Sequence, residues 1–218
     1  MGKAGPLSHV FLGIWRLARI QRVHTPGTRE GATALEAVLR LYLMAAPCSG
    51  KTMFAREHPS HRGVEVVDFD FELQVGPRWH GWLRRAAGRA GIPIPPRTVL
   101  DGLDSAARLD AWYMLARRRL SEAAGPLCLL GPAGVPDPEC WSGMRFALVQ
   151  LPLDEHLERA RLRHERWPWD RASRPTVVRK HYAWAHEYAE AKAIPIYTSF
   201  LEALDAALDE ASASAKRA

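Results

Sequence analysis

The stretch Ala45-Ala46-Pro47-Cys48-Ser49-Gly50-Lys51-Thr52 constrains this chain more than any other. It follows the apolar run Leu39 to Met44 and leads into the helix-compatible Met53-Phe54-Ala55-Arg56-Glu57. A buried strand, a tight turn and a helix in that order point successive backbone N–H groups inward. The result is an anion nest at the positive end of a helix. Gly50, Lys51 and Thr52 match the phosphate-loop pattern, with Ala45 where Gly is usual. Cys48 occupies a further position where Gly is common, and it reads as an incidental small residue rather than a reactive one. Lys51 would reach terminal phosphates as a point charge, and the Thr52 hydroxyl would complete a Mg²⁺ shell.

The rest of the chain alternates short apolar runs with helical patterns. Val64 to Val67, Leu127 to Leu130, Phe146 to Leu151 and Ile194 to Tyr197 read as strands. Arg78 to Ala90, Ser105 to Ala124, Asp154 to Arg166 and Pro175 to Lys192 read as helices, and a last one begins near Ser199, with Glu202 three residues on. Strands separated by helices imply parallel pairing through right-handed crossovers. The expected fold is α/β, a doubly wound five-stranded parallel sheet over residues 38–218. Residues 1–37 read as a basic arm with one short amphipathic stretch, and Ala211 to Ala218 as a frayed tail.

Val66-Val67-Asp68-Phe69-Asp70 closes the second strand with two carboxylates two residues apart. In extended chain the period of two puts both on one face. At the carboxyl edge of a parallel sheet that face is the ligand crevice. One carboxylate, Asp68, can then hold Mg²⁺, while Asp70 orients or deprotonates an attacking hydroxyl. The alternative is a pair of solvated loop acids.

The phosphate loop followed by Asp68-Phe69-Asp70 resembles the small P-loop kinases: shikimate and gluconate kinases, nucleoside monophosphate kinases and polynucleotide 5′-hydroxyl kinases. The resemblance spans about residues 39 to 210. It implies ATP and Mg²⁺, held by Ala45, Ala46, Pro47, Cys48, Ser49, Gly50, Lys51 and Thr52, with Thr52 and Asp68 on the metal. It also implies that Gly131-Pro132-Ala133-Gly134 holds the acceptor, so Gly131 and Gly134 are substrate candidates. Arg159, Arg161, Arg163 and Arg166, then Arg171 and Arg174, look like the family's charged helix and lid. Arg166, Arg171 and Arg174 are the catalytic candidates beside Lys51 and Asp70, while Arg159 and Arg163 read as a solvated helix face paired with glutamates. The Arg-x-Gly acceptor motifs of shikimate and adenylate kinases are absent.

Composition bears on the acceptor. The 218 residues carry 30 basic and 24 acidic side chains, a net charge of +6. Of the 30, 25 are Arg, and Asn is absent, a usage that points to GC-rich coding. Yet the charge is uneven, since residues 78–119 hold nine Arg against three Asp. Arg78 and Arg84 are acceptor candidates there, with Trp79, Trp82 and Trp112 among them and Trp167 and Trp169 flanking the lid. Arginine beside aromatic faces suits a nucleotide or DNA acceptor, although each Trp taken singly can equally be core. The chain is also similar to phage-encoded kinases that phosphorylate a hydroxymethylated pyrimidine in DNA. Free nucleoside, deoxynucleotide and small-metabolite kinases are the alternatives, with a non-catalytic nucleic-acid-binding module as a third.

Other classes fit less well. A chain without Asn cannot supply the Asn-Lys-x-Asp guanine motif of a GTPase. No Asp-Glu strand end of the AAA type and no ABC signature occurs. The nine His lack zinc spacing, and three Cys without a CxxC suit a reducing cytoplasm, that of a host cell if the source is a phage. No run of eighteen uncharged apolar residues occurs, so no membrane helix is expected. No secretory signal is expected either. An Arg-rich transit peptide at the N-terminus stays open, with the scarcity of Ser against it.

Overall fold

The computed structural model describes residues 39–73, 98, 100, 104–134, 138–168 and 170–215. The arm 1–37, the expected helix Arg78 to Ala90 with Trp79 and Trp82, and Trp169 lie outside the described residues. Every described helix and strand belongs to the compact unit of Ala32–Gln74 and Leu100–Ala218.

Six strands and six helices are described. The strands are β1 (Arg40–Ala45), β2 (Ser60–His61), β3 (Val64–Asp68), β4 (Leu127–Gly131), β5 (Arg145–Val149) and β6 (Ile196–Tyr197). The helices are α1 (Lys51–Glu57), α2 (Phe69–Glu72), α3 (Ser105–Ser121), α4 (Leu153–Arg166), α5 (Pro175–Ala191) and α6 (Phe200–Ala215). The sheet runs β2-β3-β4-β1-β5-β6. Every pairing in it other than β2–β3 joins parallel strands, as the alternating pattern requires. The sixth strand, β2, pairs antiparallel with β3 through Ser60↔Glu65 and His61↔Val64. Two residues carry no legible period, so nothing in the sequence announced it.

Strand β1 lies at the centre with all but its first residue buried. Its side chains alternate between two cores. Leu41, Leu43 and Ala45 meet Cys128, Leu130, Ala147 and Val149 in register, and α6 covers them with Phe200, Ala203, Leu204, Ala207 and Leu208. Tyr42 points to the other face and meets an aromatic cluster: Trp112 at 5.9 Å, Trp141 at 5.8 Å and Phe146 at 5.9 Å between ring centroids. From β1 the chain winds to β3 and β4 on one side, then crosses to β5 and β6 on the other. The reversal falls at the carboxyl end of β1, where open α/β sheets bind ligands.

Local signals set the helix ends. Asp104 accepts the Ala107 amide at 2.9 Å ahead of α3. Pro175 occupies the first turn of α5. Ser199 accepts the Glu202 amide at 3.1 Å, while the Glu202 carboxylate reaches back to Thr198 rather than to Ser199 itself. The tail that reads as frayed is helical as far as Ala215, and 216–218 lie outside the described residues. Among the described residues no helix is long and apolar enough to cross a membrane.

Candidate active site

The turn between β1 and α1 has the backbone that its motif demands. Gly50 adopts φ 95° and Cys48 φ 68°, both left-handed. At Cys48 that conformation explains why glycine is common in such turns: an L side chain there is strained. Burial pushes the Cys48 thiol up while Arg163 pulls it down, so the group is not held as a thiolate. Lys51, half-buried, donates to the carbonyls of Ala45 at 3.0 Å and Ala46 at 3.3 Å. Desolvation lowers its ammonium, and the charges of Asp70 and Asp68 work against that. The buried Ser49 hydroxyl has no partner among the described residues.

Asp68 ends β3 beside Leu130 of β4. The Thr52 hydroxyl donates to Asp68 Oδ2 at 2.5 Å, whereas the buried Asp68 Oδ1 has no partner among the described residues. A hydroxyl joined to a carboxylate, with one buried carboxylate oxygen to spare, is a donor set for a hard, oxygen-seeking cation. The residues present therefore fit Mg²⁺. No group of three or more His, Cys, Asp or Glu that could hold a metal by themselves occurs among the described residues, so a cation here would also need oxygens from elsewhere.

Asp70 departs from the extended geometry expected of it. The strand stops at Asp68, and Asp70 lies in the first turn of α2. Helical geometry at Asp70 removes the period-two argument, yet both carboxylates still act on the Lys51 ammonium. Trp112 donates its indole N–H to Asp70 Oδ1 at 2.9 Å. Asp70 is exposed at the rim, but its carboxyl rises above the usual value because the walls exclude water, with Lys51 opposing the rise. Trp112 itself is buried, edge-on to Phe69 at 5.1 Å and to Tyr113 at 5.3 Å. The core reading of Trp112 is therefore the right one, with a polar handle on Asp70.

The loop after β4 is built against these rings. A methyl on Gly131 would lie 2.2 Å from the Tyr42 hydroxyl oxygen and 2.3 Å from Trp112 Cη2. Tyr42 donates to Pro132 O at 3.0 Å, and Tyr113 donates to Gly134 O at 2.6 Å. Gly134 has φ 87° and abuts Trp184 of α5. Gly131 and Gly134 are legible as loop glycines in the sequence, whereas Trp184 is not, because its helical pattern holds no signal of proximity to this loop.

Helix α4 meets the phosphate loop through His156, Arg159 and Arg163. His156, buried, lies 2.6 Å from Pro47 O through Nε2. Arg159 donates to Ser49 O at 3.0 Å and to Glu155 at 2.6 Å. Its Nη1 sits 2.8 Å from where a methyl on Gly50 would be. Arg163 acts on both Cys48 and Lys51 and is anchored by Asp170 at 2.7 Å. Arg161, by contrast, pairs with Glu158 and Glu165 on the outer face. Arg159 and Arg163 are thus exposed, and Arg159 keeps the expected pairing with Glu155, yet both also meet the loop, which the solvated-face expectation did not include. Arg166 is exposed and lies 5.6 Å over the Trp167 ring. Arg171, in a short 3₁₀ turn, and Arg174, at the start of α5, are exposed side chains that the structure does not bring onto the loop. Arg78 and Arg84 lie outside the described residues.

No family model matches the chain, and no curated protein matches it. Solved structures do. Shikimate kinase from Acinetobacter baumannii in complex with shikimate aligns at a TM-score of 0.50 and 18% identity, over 84% of this chain and 97% of that one. The PezAT chromosomal toxin-antitoxin system of Streptococcus pneumoniae aligns at 0.47 and 14% identity, over 90% and 80%. A gluconokinase from Sinorhizobium meliloti aligns at 0.36 and 16% identity, over 72% and 97%. The likeness to shikimate kinase is one of fold. This chain shares the α/β fold of that shikimate kinase, with a largely parallel central sheet flanked by helices.

Proposed function

We propose that the protein is an ATP- and Mg²⁺-dependent phosphotransferase acting on a hydroxyl of a nucleotide or nucleic acid. One observation carries the reading. Lys51 and Thr52 from the start of α1, and Asp68 and Asp70 from the junction of β3 with α2, converge at the carboxyl end of β1. Lys51 and the loop amides would hold the triphosphate, with Thr52 and Asp68 holding the metal. Bound Mg²⁺ supplies charge neutralisation for the phosphoryl oxygens. Asp70 takes the proton of the acceptor hydroxyl as its oxygen bonds to the γ-phosphorus and the bond to ADP breaks. Desolvation by the surrounding walls raises the basicity of Asp70, and the Trp112 N–H fixes which carboxylate oxygen faces the acceptor. Arg159 and Arg163 stand where charge on the phosphates would meet them, and Arg166, Arg171 and Arg174 are candidates for a closing segment.

The nine arginines of residues 78–119 support an anionic acceptor such as a nucleotide or DNA, including a hydroxymethylated pyrimidine in phage DNA. Incubation with γ-labelled ATP and a panel of nucleosides, 5′-hydroxyl oligonucleotides, hydroxymethyl-pyrimidine DNA and sugar acids tests this. Label on a nucleoside or oligonucleotide supports it; label confined to a sugar acid defeats the acceptor class. Lys51→Ala and Asp70→Asn should each reduce transfer by about 10²–10³-fold or more while leaving the fold intact by circular dichroism. Activity should also fall on acidification from a pH above the ordinary carboxylate value of 3.8, because Asp70 must be ionised to act and its carboxyl is raised. An acid limb at or below that value argues against Asp70 as the base.

A further inference from the structure

Trp184 projects from the middle of α5, and the fold holds it beside the acceptor loop without burying it. A methyl on Gly134 would lie 1.9 Å from Trp184 Cη2, so the indole edge rests on the glycine backbone. The indole stacks on Tyr188, four residues on, with centroids 5.7 Å apart and planes 29° from parallel. Gly134 is itself fixed, because Tyr113 donates to its carbonyl at 2.6 Å. Tyr113 sits edge-on to Trp112, which donates to Asp70. A continuous series of contacts thus joins the proposed base to this indole. Even so, 45% of the Trp184 surface is open to solvent.

An indole clamped on two sides has already lost its rotamer freedom, so a ligand that stacks on it need not order it. Its flat, electron-rich face suits another planar ring, and base stacking on aromatic side chains tolerates any base. An acyclic, strongly hydrated sugar acid has no flat face to set against it. The glycine is required twice over, by its φ of 87° and by the ring against it. Both requirements keep the ring against the loop.

We propose that Trp184, backed by Tyr188 and seated on Gly134, is the stacking face for a nucleobase carried by the acceptor. The acceptor class is then an alcohol on a planar heteroaromatic ring system and not a sugar acid. This rests on the phosphotransferase reading above and names the acceptor class for the same site.

Equilibrium dialysis of the full chain reads binding without needing turnover. The probes are thymidine, a short single-stranded oligonucleotide with a 5′-hydroxyl, and gluconate. Thymidine or the oligonucleotide should bind, and gluconate should not. Trp184→Ala should weaken the planar probe about tenfold or more, Trp184→Phe less than about threefold, and Leu201→Ala, at an exposed apolar side chain of α6, not at all. Retention of thymidine identifies a free nucleoside as sufficient; retention of the oligonucleotide alone points to nucleic acid. Thermal melts show whether Trp184→Ala remains folded, and the folded Trp184→Phe and Trp184→Leu pair repeats the comparison if it does not. Unchanged binding in the folded Ala or Leu variant, gluconate binding as well as thymidine, or failure of both planar probes overturns the proposal. A protein that binds thymidine through Trp184 but never transfers phosphate overturns the phosphotransferase reading alone.

Discussion

At the scale of single residues, Cys48 shows what the phosphate loop costs this chain. A φ of 68° places an L side chain where the left-handed conformation is unfavourable by about 1–2 kcal/mol. Glycine adopts that angle freely but gives more entropy to the unfolded chain. Cys48→Gly should therefore be neutral or stabilising by up to about 1 kcal/mol. A branched side chain is worse placed, and Cys48→Val should cost about 1–3 kcal/mol. Urea midpoints of the three proteins order them Gly, Cys, Val if the loop keeps its geometry. Gly50 admits no such freedom, since its φ of 95° is left-handed and Arg159 Nη1 lies 2.8 Å from the position of an added methyl.

Helix α4 acts as an element, because residues 156, 159 and 163 share one face and brace the loop from Pro47 to Ser49. The Pro47 carbonyl can only accept, so His156 donates from Nε2, and its buried Nδ1, with no partner among the described residues, carries no proton. Protonation would add a buried donor without an acceptor. Desolvation lowers the His156 pKa; the Pro47 bond and Glu155 oppose this, and Lys51 and Arg159 add to it, with the Tyr182 ring 5.9 Å away. The unfolded residue titrates near 6.5 and the folded one below it. The stabilisation is thus complete above about 6.5 and is lost as pH falls through the folded value. His156→Gln keeps a donor and does not titrate, so its melting temperature should fall less between pH 7.5 and 5.5 than that of the parent. Parallel curves would show that His156 does not carry this dependence. His156→Leu removes the donor to Pro47 and should cost about 1–3 kcal/mol at neutral pH.

For the molecule as a whole, stability depends on covering both faces of the central strands. Leu204 of α6 is fully buried over β1 and β5, in the core that also holds Phe54, which stacks on Phe200 at 5.0 Å. Leu204→Ala should cost about 2–5 kcal/mol, read as a shift in the urea midpoint. Because α1 shares that core, the same substitution should loosen the phosphate loop, seen as faster amide exchange at Lys51 to Phe54. The short β2 hairpin is tied to the same helix through His61–Asp205 at 2.7 Å and Arg62–Asp209 at 3.0 Å, surface pairs of small energetic weight.

Much of this architecture was legible in the chain itself. Apolar runs between helical patterns placed the five parallel strands, and Ala45 to Thr52 placed the phosphate loop. Both are encoded by neighbours in sequence, through strand and helix period and through the turn that Gly50 permits. Asp68 followed from its position at a strand end. Tertiary structure alone decided that His156, Arg159 and Arg163 meet the loop while Arg161 turns outward. A charged helix has the same 3.6-residue period whichever face packs, and only the partner surface selects between them. Tertiary structure likewise brought Trp184 onto Gly134, far away along the chain. Contacts of that kind depend on how α5 docks against the sheet, and no local pattern records it.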